Sequence, residues 1–75
     1  MDAEELNRAI LQAHDTHDPA RLAELYRDAA DMKAGRGDAA AEAFLLTQAY
    51  VFALESGSGL TTDLHKRLKA LGCEE

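Results

Sequence analysis

The chain contains one cysteine, one proline and no tryptophan, and its β-branched apolar residues are a single Ile and a single Val. Each shortage excludes something. Lone Cys73 cannot close a disulfide within the chain, and no Cys/His spacing of the zinc-finger kind is present. Ile10 and Val51 stand against 15 Ala and 11 Leu, a set rich in strong helix formers and nearly empty of residues that favour pleated strands, so the expected fold class is all-α. Basic charge is also scarce: 8 Lys and Arg against 14 Asp and Glu leave a formal net charge of −6, which repels a phosphate backbone or an anionic membrane surface. Neither nucleic acid nor a membrane is an expected partner. No stretch approaches 18 consecutive apolar residues, and Met1-Asp2-Ala3-Glu4-Glu5 is acidic where a signal peptide would be basic and then apolar. With a single thiol and no export signal, the expected setting is the cytoplasm.

What is present suits one small globular domain over residues 1–75: 47% of the residues are apolar and 29% charged. A chain of this size buries only about 60% of the surface its unfolded form exposes, so its own core supplies a few kcal/mol at most. Without disulfides or an evident metal site, self-association or a protein partner is the remaining source of stability.

Capping residues and apolar spacing divide the chain into four helices. Asp2 caps the first, with Glu4 and Glu5 at the positive end of its macrodipole and Leu6, Ile10 and Ala13 as the buried stripe. The pattern fades in His14-Asp15-Thr16-His17. Asp18-Pro19 restarts it, because the Asp side chain accepts from orphan amides and Pro19 takes the first helical position, where its missing N–H is not needed. Leu22, Leu25, Tyr26, Ala29 and Met32 then follow at helical spacing, Gly35-Arg36-Gly37 ends the helix, and Asp38 caps the next. A fourth short helix follows Ser56-Gly57-Ser58-Gly59, with Thr61 as its expected cap, Leu64, Leu68 and Leu71 as its stripe, and Gly72 as its stop, after which Cys73 would fold back on Leu68. Short connections make sequence neighbours antiparallel, giving a small four-helix bundle.

The third helix, about Ala39 to Glu55, is apolar around most of its circumference. At about 100° per residue, only Thr47, Gln48 and Glu55 share a polar arc, and Phe44 and Val51 lie within it. Such a helix is either central to the fold or carries a second apolar surface for another chain. Both are expected here. Phe44, Val51 and Phe52 are the candidate buried anchors of that surface, with Gln48 and Glu55 as its polar rim. Glu42, the one charge in the apolar sector, is expected at the exposed start of the helix.

The segment Tyr26-Arg27-Asp28-Ala29-Ala30, followed by Gly37-Asp38 and then by Leu46 and Ala49, resembles one partial tetratricopeptide-type helical hairpin formed by the second and third helices. Ala29 and Ala30 stand where the repeat has its Leu-Gly pair. The resemblance covers roughly half the chain, and it implies a scaffold that binds peptides or other proteins.

His14-Asp15-Thr16-His17-Asp18 gathers metal-ligating residue types: two imidazoles three residues apart share a face if the first helix runs through them, and Asp15 or Asp18 would supply a carboxylate. Turn and cap chemistry accounts for most of the same residues. No nucleophile elbow, phosphate-cradling glycine loop or zinc-protease pair is present, and Glu74 and Glu75 disfavour a reactive thiolate at Cys73. No enzyme and no cofactor is therefore expected. The expected function is a protein-interaction module that self-associates, most simply as a homodimer, through the third helix. The alternatives are a small metal- or ligand-binding protein using His14 and His17, or an acidic partner of a basic protein.

Overall fold

A computed structural model describes residues 2–72. Four helices are the regular elements among them: α1 (Ala3–Asp15), α2 (Pro19–Gly35), α3 (Ala39–Ser56) and α4 (Thr61–Ala70). The all-α bundle expected from composition is the fold. None of the helices is long and apolar enough to cross a membrane.

Three aspartates start three helices. Asp2 accepts from the Glu5 amide at 2.8 Å, Asp18 from Arg21 at 3.1 Å and Asp38 from Ala41 at 3.1 Å, each satisfying an amide that the first turn leaves without a carbonyl. α4 differs from expectation. Thr61 is its first residue rather than its cap; its hydroxyl donates to the Ser58 carbonyl, while the Ser58 hydroxyl accepts from the Leu60 amide. A serine three residues ahead of the helix thus organises the turn.

The helix ends share one device. Asp18 donates to the carbonyl of Ala13, Asp38 to Lys33 and Ser58 to Ala53, each bond spanning five residues around a left-handed residue. That residue is Gly37 after α2 (φ 74°), Gly57 after α3 (φ 67°) and, after α1, His17 (φ 52°). Gly72 also takes the left-handed conformation expected of it. The return of Cys73 onto Leu68 falls outside the described residues.

Packing follows chain order: α1 lies against α2, α2 against α3 and α3 against α4, and the α2–α3 contact is the most extensive. The array is thin, with principal extents of 33 × 28 × 14 Å. The third helix, expected at the centre, shares it with α2. Ala23 and Ala30 of α2 meet Leu46, Ala49 and Ala53 of α3, all fully buried, with Leu64 and Leu68 of α4 completing the cluster. Alanine at the crossing brings the two backbones close, and branched leucines fill the space alongside. A second cluster joins Leu6 and Ala13 of α1 to Leu22 and Leu25 of α2. Leu71, expected in the inward stripe of α4, lies beyond the helix and is exposed.

Arg67 ties α4 to the central pair. One guanidinium nitrogen lies 2.6 Å from Asp31 of α2 and the other 3.2 Å from Glu42 of α3. Glu42, expected in solvent, has a side chain only 15% exposed, because Arg67 covers it. Spacing along α3 gives no hint of a partner 25 residues away.

Two expectations test this account. Ala49→Leu forces extra methylenes into the α2–α3 crossing and should destabilise by about 1–3 kcal/mol in urea unfolding, whereas the same change at exposed Ala20 should leave the midpoint nearly unmoved. A double-mutant cycle on Glu42→Gln and Arg67→Gln should give a coupling of about 1 kcal/mol, since both partners are shielded from water but neither is deeply buried.

Candidate interaction surface

So thin a bundle leaves α3 covered on two sides only. Leu46, Ala49 and Ala53 face inward, and the opposite side carries Ala40, Phe44, Thr47, Val51 and Leu54, all exposed. Phe44 is 63% exposed, Val51 45% and Leu54 56%. Their spacing alternates four and three residues, the rhythm of a helix seam that meets a second helix along its length. Thr47, the polar member, donates its hydroxyl to the Ala43 carbonyl at 2.8 Å, so its hydrogen-bonding demand is met within the helix. The only charges on α3 are Glu42, held by Arg67, and Glu55 at the far end.

Of the five residues that the sequence nominates, the structure places four on or beside this face. Phe44 and Val51 lie within the seam, Gln48 flanks it half-buried, and Glu55 is exposed. Phe52 does not belong there. Its ring turns toward α1 and α2, stacks on Tyr26 at 5.7 Å with planes 12° apart, and meets His14 edge-on at 5.7 Å. Phe52 is thus a contact within the chain, and Leu54, passed over in the sequence, occupies the outward position. A helical wheel is symmetric in this respect: Phe52 and Leu54 lie about 80° to either side of Phe44, and only the position of α2 decides which flank is covered.

The histidines of the α1–α2 turn line a shallow pocket of about 320 Å³ together with Leu22, Phe52 and Glu55. They do not form a ligand set. His14 Nε2 is 3.0 Å from the Tyr26 hydroxyl, and among the described residues no group of three or more His, Cys, Asp or Glu side chains comes together as metal ligands would. Their evident role is structural: His14 joins the Tyr26–Phe52 stack, and His17 supplies the left-handed turn.

His17 occupies a conformation that costs a residue with a Cβ about 1 kcal/mol. The two following turns place glycine there, so His17→Gly should raise stability by roughly 0.5–1 kcal/mol, seen as a melting temperature higher by a few degrees. Comparison of the chain with protein-family models, with curated proteins and with solved structures finds no match.

Proposed function

We propose that this chain is a non-enzymatic helical interaction module of the cytoplasm that self-associates as a homodimer, α3 against α3. The observation that carries the reading is the exposed apolar seam of Ala40, Phe44, Thr47, Val51 and Leu54 on a helix whose other sides are already covered. Isolated exposed leucines are ordinary on a monomer surface, but a continuous row at seam spacing is not. A second copy suits it because the row is self-complementary and uncharged between Glu42 and Glu55, so that two-fold pairing buries no unpaired charge. At 18 residues, α3 is about 27 Å long, sufficient for an interface built on one helix pair and its flanks. Phe44, Val51 and Leu54 are the anchors, with Gln48 and Glu55 at the edge. The scaffold role implied by the tetratricopeptide-like hairpin agrees with this reading.

Val51 lies outside the chain's own core, so Val51→Asp should leave the helical circular dichroism unchanged while halving the solution mass. Light scattering after size exclusion, over a tenfold dilution series, should give twice 8.1 kDa for the natural chain and 8.1 kDa for the variant. A natural chain that is monomeric throughout, or a variant that remains dimeric, overturns the proposal.

A further inference from the structure

The structure holds a second feature, on a different face from the α3 seam. Between α1 and α3, over α2, runs a groove of about 360 Å³. Its lining is mainly apolar, with Leu6 and Ile10 of α1, Ala29 and Met32 of α2 and Leu45 of α3, and Asn7 of α1 is among them. Tyr26 of α2 also lines it, and stacks on Phe52 of α3. From Tyr26 to Arg36 the floor runs ten residues along α2, about 15 Å. At one end stand Lys33 and Arg36.

These two cations distinguish the groove from a bare apolar face. Like Arg8, Lys66 and Lys69, Lys33 and Arg36 have no carboxylate within 4 Å among the described residues, and these two line the groove. In a chain of net charge −6, two unpaired cations at the mouth of an apolar slot are a local reversal of sign. The amino end of α1 reaches the mouth through Ala3; Asp2, Glu4 and Glu5 already answer the dipole of that turn and do not line the groove.

We infer that the groove binds an aliphatic carboxylate of medium chain length, tail inward toward the Tyr26–Phe52 stack and carboxylate between Lys33 and Arg36. The volume is in the range of small-ligand sites, which combine an apolar lining with a few polar groups that fix orientation. Each buried methylene adds to affinity, and the charge-assisted bonds at the mouth select the head group.

Dodecanoate, below its micellar concentration, is the probe, and the ¹³C-labelled Met32 methyl is the reporter, since Met32 lines the groove. The Met32 signal should shift saturably with dodecanoate, and dodecyltrimethylammonium, with the same tail and opposite charge, should bind at least about tenfold more weakly. In Lys33→Gln/Arg36→Gln, which alters no core residue, the preference between the two probes should vanish. Equal binding of both probes by the natural chain would overturn the inference, because it would reduce the groove to an unselective apolar patch. A Met32 signal that ignores dodecanoate would also overturn it, and if that signal moved on dilution instead, the groove would belong to the contact between copies. The monomeric Val51→Asp variant should bind dodecanoate like the natural chain, so failure of the dimer and failure of the ligand site can be told apart.

Discussion

The close approach of α2 and α3 is the constraint on which the remainder of the structure depends. It rests on small side chains: Ala23, Ala30, Ala49 and Ala53 are fully buried, and none could be enlarged without parting the two helices. Because alanines fill little volume, the leucines that complete the core must come from the flanks, Leu46 from α3 itself and Leu64 and Leu68 from α4. The crossing therefore positions α4, and Arg67 secures it by spanning Asp31 and Glu42, one from each helix of the pair. On the other side, the α2 surface that remains after α3 has docked carries Leu22 and Leu25, which receive Leu6 and Ala13 of α1.

This sequential docking has a geometric result. Helices that pack only on their chain neighbours form a thin bundle, and a thin bundle exposes both of its broad faces. On one, α3 presents the seam of Phe44, Val51 and Leu54; elsewhere α1 and α3 flank α2 without meeting along their whole length, and a groove remains. Both features arise from the same arrangement, and neither is a defect of packing, since no buried polar side-chain atom among the described residues lacks a partner.

Much of this was legible in the sequence, for local reasons. Asp2, Asp18, Asp38 and Pro19 announce helix starts through chemistry confined to one turn, and Gly37, Gly57 and Gly72 announce helix ends in the same way. The apolar excess of α3 was also plain, and with it Phe44 and Val51 as outward candidates. What could not be read is which side each helix turns to its neighbour. Ala23 lies outside the stripe that apolar spacing marks on α2, yet with Ala30 it makes the contact with α3. Phe52 and Leu54 exchanged places for the same reason, and the partners of Glu42 and His14 lie 25 and 12 residues away, where spacing along one helix carries no information. Thr61 was misjudged locally, because Ser58 had already taken up the turn's hydrogen bonds.

The thinness of the array bears on how it comes apart. A helix at the edge of the array is held along one side only, and α1, whose buried residues form a cluster apart from the one that α2, α3 and α4 share, has the least to lose by opening. The consequences for the two surfaces differ. Loss of α1 abolishes the groove, one wall of which it forms, but leaves the outward row on α3 intact. The two faces of this small chain thus have separate thresholds of persistence, set by which neighbour each requires.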